Sequence, residues 1–175
     1  MWLFKAIAIS LMTLSLFNGG CGFQPLYKHD TASHNILKEL SLIRIAPIED
    51  RIGQQLRNFL QDDITPRGKP TNPSYELIVK MDKTRRDLVL LQDATSTFAK
   101  IRLHASYTLT NFNTGVALTS GNTTTKTGFT ISQSEYANIR AEAEAASRAS
   151  REISYNITRQ LALFLKKKQP LTTRQ

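Results

Sequence analysis

From residue 98 to residue 112 apolar and polar side chains alternate. Ala99, Ile101, Leu103, Ala105, Tyr107 and Leu109 share one parity, while Lys100, Arg102, His104, Ser106, Thr108 and Thr110 share the other. Successive Cβ atoms of an extended chain point to opposite faces of a sheet, so this pattern predicts a strand over Phe98–Phe112 with one face in a core. Asn111-Phe112-Asn113-Thr114-Gly115 is rich in residues that tolerate positive φ and predicts a hairpin turn. The Thr-rich stretch Val116–Ile131 then returns as the antiparallel partner. Tyr75, Leu77, Val79 and Met81 alternate with Glu76, Ile78, Lys80 and Asp82 in a further strand, and Leu88–Leu91 is either its continuation or a separate short strand. The charged cluster Asp82-Lys83-Thr84-Arg85-Arg86-Asp87 lies between the two. Upstream, Leu40–Ile48 places Leu40, Leu42, Arg44, Ala46 and Ile48 on one parity and Ile43 and Ile45 on the other. Apolar residues on both faces predict a central strand, ended by Pro47.

Two segments change period. Ile52, Leu56, Phe59 and Leu60 recur at i, i+4, i+7 and i+8, the stripe of an amphipathic helix, with Asp50 placed to cap it. Thr65-Pro66-Arg67-Gly68-Lys69-Pro70 breaks that helix. Near the C-terminus, Tyr136, Ile139, Ala143, Ala146, Ile153, Ile157, Leu161 and Phe164 form one stripe. Ser132 and Glu135 have the spacing of a capping box. A helix from Glu135 to Lys168 would be about 50 Å long, closed by Lys166-Lys167-Lys168 and stopped by Pro170.

The predicted order is strand, helix, three or four strands, long helix. Each element has one apolar face. An α+β two-layer sandwich, with two helices packed on one face of a largely antiparallel sheet of about four strands, satisfies all of them. The domain is expected over residues 40–168, with a tail over 169–175. Gly22–Lys38 is polar and turn-rich apart from Phe23, Leu26 and Tyr27, and residues 21–39 read as a tether.

The first 20 residues carry a different signal. Lys5 is followed by the apolar run Ala6–Phe17, then Asn18-Gly19-Gly20 and Cys21. A charged start, an apolar core and small residues at its end are the marks of a secretory signal peptide, and the run is short of the ~20 residues that span a bilayer. Small residues directly before a cysteine resemble a bacterial lipobox, although Asn18 stands where that pattern usually has Leu. The resemblance implies cleavage before Cys21 and acylation of that residue. Several acyl chains make a firm anchor, since each buried methylene contributes ~0.8 kcal/mol. Gly22, rather than Asp, after the cysteine implies delivery to the outer membrane.

Composition narrows the chemistry. The 175 residues include 23 Lys and Arg against 14 Asp and Glu, and removing residues 1–20 takes away only Lys5, leaving a charge of +8. Such a balance selects an anionic partner. Export removes nucleic acid from the candidates and leaves lipid headgroups and lipopolysaccharide. One cysteine excludes an internal disulfide and a multi-cysteine zinc site, and His29, His34 and His104 lack metal-ligand spacing, so neither a metal nor a cofactor is expected. No nucleophile-base pair or Gly-rich phosphate loop is present. Glu49/Asp50 and Asp62/Asp63 flank a helix as cap and solvated charge, and Glu142/Glu144 falls on an exposed helix face. These features point to binding rather than catalysis.

Cys21-Gly22-Phe23-Gln24-Pro25-Leu26-Tyr27, directly after an export signal, is similar to the mature start of the lipopolysaccharide-assembly lipoprotein family LptE, and the order of later elements fits it. The resemblance implies a non-enzymatic, lipid-anchored protein on the periplasmic side of the outer membrane. Its partners would be the β-barrel of the lipopolysaccharide translocon, which it helps fold and plugs, and lipopolysaccharide itself. Arg binds phosphate with paired hydrogen bonds and Lys adds a point charge. The expected ligand contacts are Lys100 and Arg102 on one strand face, extended by Arg85, Arg86 and Lys126. The alternative function is a free-standing periplasmic lipoprotein that binds a small ligand or inhibits an enzyme.

Overall fold

The computed structural model describes residues 31–89 and 97–168. In chain order the elements are α1 (Thr31–Leu40), β1 (Ile43–Ile45), α2 (Arg51–Ile64), β2 (Tyr75–Val89), β3 (Thr97–Asn111), β4 (Ala117–Ile131) and α3 (Glu135–Lys168). The four strands form one sheet in the order β1-β2-β3-β4. β1 runs parallel to β2, and the other neighbours are antiparallel. The helices cover one face, so the α+β two-layer sandwich expected from periodicity is the fold observed.

The alternation in β3 is carried through to burial. Ala99, Ile101, Leu103, Ala105 and Leu109 have no exposed surface, while Lys100, Arg102, His104 and Ser106 are exposed. Against this floor α3 sets Ile153, Ile157, Leu161 and Leu165, and α2 sets Leu56, Leu60 and Ile64. Burying each such side chain contributes about 1.5–3 kcal/mol. Small residues on α3, namely Ala145, Ala146, Ala149, Ser150 and Ser154, are also buried. They let α2 and α3 approach closely enough for Asp63 to accept a hydrogen bond from Ser154 Oγ at 2.6 Å and for Gln55 to donate to Ser147 Oγ at 2.9 Å.

Several local expectations are corrected. β1 is three residues long and lies at the sheet edge, not its centre. Leu40 and Ile48 are buried, but from the end of α1 and the turn before α2 rather than from a strand. Asp50 precedes α2 with φ +65° and makes no capping hydrogen bond. Instead Gln54 turns its side chain back to the Ile48 carbonyl. The expected capping box does not form: Ser134, not Ser132, accepts from the Ala137 N–H at 3.4 Å, and Asn138 rather than Glu135 reaches back, bonding both the N–H and the carbonyl of Ser132. The predicted stripe of α3 begins too early. Tyr136 and Ile139 are 74% and 59% exposed, because α2 and the sheet do not reach the first turns of α3.

α1 is a helix that the polar composition of its segment conceals. Leu40 is buried and Ile36 packs against the core. Tyr75 donates to Glu39 at 2.8 Å and accepts from Lys168 Nζ at 3.2 Å, which ties α1 and the end of α3 to β2.

Candidate functional site

The sheet face away from the helices is open to solvent, and strand register decides which side chains meet there. Arg86 on β2 stands directly opposite Lys100 on β3, and Arg102 on β3 directly opposite Lys126 on β4. Lys100 and Arg102 are two residues apart on one strand and so share the face, ~6.8 Å apart along it. All four are exposed, and among the described residues none of them is in an ion pair. Like charges directly opposite one another destabilise a strand pair. Four neighbouring cations with no carboxylate among them therefore cost the fold something, and bound anions would remove the cost.

The flanks of this cluster differ. Toward one end of the face lie Leu88 and Phe98, register partners and both half-buried. Phe98 covers Gly128, where any side chain would overlap its ring. Toward the other end, Asp82 faces His104, and His104 Nδ1 shares a hydrogen bond with Thr124 Oγ1 at 2.8 Å. Further on, Arg44 is paired with Glu76 at 3.7 Å and lies over the Phe112 ring.

Arg85 is not part of this cluster. Its register partner is the buried Ile101, so it projects toward the helix-covered side. There its guanidinium meets Asp87 at 2.8 Å and Glu142 of α3 at 2.6 Å, and stacks over the Phe129 ring at 5.6 Å. The hydrogen bond to Asp87 is the main reason its pKa is held above the ordinary value. Lys83 joins Glu142 from β2 at 3.0 Å. Hydrogen bonding from Lys83, with Arg85 adding to it, holds the Glu142 carboxyl below its usual range despite partial burial. Glu142 is thus a cross-element ion-pair partner, not a solvated helix charge. A cleft of about 710 Å³ between α2 and α3 has Lys83 and Glu142 in its lining, and their charges are already neutralised by each other.

Of the expected ligand contacts, the fold brings together Lys100, Arg102, Arg86 and Lys126 and sets Arg85 aside. Cys21 lies outside the described residues. Among those described, no three His, Cys, Asp or Glu residues are placed to hold a metal ion, and no helix is long and apolar enough to cross a membrane. The meeting of Leu88 and Phe98 was not legible from the strand patterns singly, because it needs the pairing of β2 with β3.

Comparison with known proteins places this architecture. A solved structure from Caulobacter crescentus CB15, described as a lipoprotein, superposes with a TM-score of 0.67 at 25% identity, over 78% of this chain and 98% of that one. The rare lipoprotein B of Shewanella oneidensis superposes with a TM-score of 0.55 at 9% identity, over 72% of this chain and 97% of that one, a likeness of fold alone. No curated protein matches the chain. The sequence model of one family, LptE, described as lipopolysaccharide-assembly, matches residues 37–161, which run from α1 through the sheet and into the last turns of α3. That span takes in every strand, all of α2, most of α3 and the end of α1, and the chain belongs to the LptE lipopolysaccharide-assembly family.

Proposed function

We propose that this protein is anchored by lipid on Cys21 at the periplasmic side of the outer membrane, helps assemble and plug the β-barrel of the lipopolysaccharide translocon, and binds lipopolysaccharide through the open sheet face. The observation that carries the binding role is the cluster of Arg86, Lys100, Arg102 and Lys126, unpaired among the described residues and apposed on the face that the helices leave bare. Phosphate groups are the natural counterions for such a cluster, since guanidinium forks and ammonium groups form charge-assisted hydrogen bonds with them. The family's role in assembly rather than catalysis agrees with this reading.

Two further surfaces suit a barrel partner. The outer edge of β4 runs for 15 residues with Lys126 as its one charge and no proline. An edge with so few charges offers a row of backbone groups that another chain can pair with. On α3, Tyr155 and Leu163 are 65% and 60% exposed, on the same side of the helix eight residues apart.

Extraction of the membrane in detergent and isolation of the protein tests the reading. A stoichiometric barrel should copurify, and the complex should bind lipopolysaccharide. The double variant Lys100→Glu/Arg102→Glu should keep the barrel and lose most of the binding. A protein that emerges alone, as a monomer, would favour the free-standing alternative.

A further inference from the structure

A second basic site lies at the edge of the sheet. β1 has a strand neighbour on one side only. Beside it is a cavity of about 450 Å³, lined by β1, the C-terminal half of α2 and the loop over residues 65–74, and by no residue of β2. Three cations reach it from three segments: Arg44 on β1, Arg57 on α2 and Lys69 on the loop. Among the described residues no carboxylate lines it. Arg44 has Glu76 at 3.7 Å, whereas Arg57 and Lys69 are in no ion pair among the described residues. Arg57 is half-buried, and its Nε is shut off from water without an acceptor. Its Nη2 donates to the Ile45 carbonyl at 3.4 Å. A guanidinium so placed has lost hydration and has no counter-ion to offset the loss. The four-cation cluster is too far away to share a ligand group with it. Thr110, the register partner of Glu76, is eight residues along β3 from Arg102, ~27 Å at strand rise.

We propose that this cavity is a separate binding site for one phosphate group, held by Arg57, Lys69 and Arg44. Three cations against Glu76 alone leave an excess of two positive charges, which a phosphate dianion matches and a single carboxylate does not. Guanidinium forks suit phosphate oxygens, and Lys adds a point charge. The cavity is built before any ligand arrives. Pro47, Pro70 and Pro73 stand in its wall with φ fixed by their rings. Gly68, at φ +103°, closes the turn that precedes Lys69 by donating to the Thr65 carbonyl. Arg44 lies over the Phe112 ring, 5.4 Å from its centre, which limits where its guanidinium can go. The C-terminal end of a helix disfavours anions. Of the lining residues at that end of α2, however, the Gln61 carbonyl already accepts from the N–H and hydroxyl of Thr65, and the Thr65 carbonyl is taken by Gly68. Those oxygens are turned to donors of their own.

The test is calorimetric titration of the full mature chain in detergent at constant ionic strength. The chain carries Lys100→Glu/Arg102→Glu, so that the open-face cluster does not contribute. The probes are inorganic phosphate, glycerol 3-phosphate and acetate. Both phosphates should bind saturably at one site and raise the melting temperature. Their affinity should fall as pH drops below ~6, where the second phosphate charge is lost. Adding Lys69→Glu, an exposed change in the loop, should weaken phosphate about tenfold or more, as loss of a charge-assisted contact does. Arg57→Gln, which keeps a donor for the Ile45 carbonyl, should do the same; if that protein melts poorly without ligand, Lys69→Glu decides. Tighter binding of glycerol 3-phosphate than of inorganic phosphate supports the site and makes an ester its ligand. Equal binding of the two supports it with the free ion as ligand. No saturable phosphate binding overturns the proposal, and so does binding that Lys69→Glu leaves undiminished. Acetate bound as tightly as phosphate overturns the assignment to phosphate.

Discussion

Arg102 and Lys126 stand directly opposite each other across the β3–β4 pair, both exposed and, among the described residues, without a carboxylate to share. A sheet selected for stability alone would alternate charge sign at such a position. Arg102→Glu should therefore act in opposite directions on stability and binding. Pairing with Lys126 should raise stability by about 0.2–1 kcal/mol at low salt, seen as a higher melting temperature. Lipopolysaccharide affinity should fall in the same variant. Wild-type affinity should itself fall as salt rises, because the cations are exposed and screened. An Arg102→Glu protein that is both less stable and fully able to bind would show that the cluster serves the fold.

Glu142 makes a pH-dependent contribution. Its carboxyl is held below the usual range by Lys83 and Arg85, so it binds protons less readily in the folded chain than in the unfolded one. Such a group stabilises the fold above the unfolded carboxylate pKa, and the contribution is lost as pH falls through the lowered folded value. Glu142→Gln should be less stable than wild type at neutral pH, by less than about 1 kcal/mol for partly exposed pairs. The gap should close on acidification below pH ~4.5. Melting curves of the two proteins across that range check it.

Leu103 is fully buried between β2 and β4 on the helix side. Leu103→Ala should destabilise by about 2–5 kcal/mol. Leu103→Asp should abolish cooperative melting, since an unpaired carboxylate there loses its hydration and gains no partner. Ser106→Ala, three residues along on the open face, should melt as wild type does.

Cys21 is the expected lipid carrier. Intact-mass measurement of the membrane-extracted protein should give a chain that starts at residue 21 with acyl mass added. Cys21→Ala should release the protein from the membrane or leave it unprocessed, unless the barrel retains it. An unmodified thiol on the mature chain would remove the anchor from the proposed function.

The amino-acid sequence by itself determined which side chains of β3 face solvent. Period two is a local property of the backbone, so Ile101 and Leu103 in the core oblige Lys100 and Arg102 to lie outside it. It also determined the stripe of α2 and the long reach of α3, since helical period is equally local. The charged run 82–87 carried no such information. With charges on both parities, nothing in Lys83-Thr84-Arg85-Arg86 says which cation turns outward. Pairing with β3 decided it: Arg86 fell opposite Lys100, and Arg85 fell opposite Ile101, within reach of Glu142, a carboxylate 57 residues further along the chain. The edge position of β1 and the bare first turns of α3 were decided in the same way. Each depends on which elements lie alongside, and neighbours in space are set by how all the apolar faces are buried together, not by the residues of any one segment.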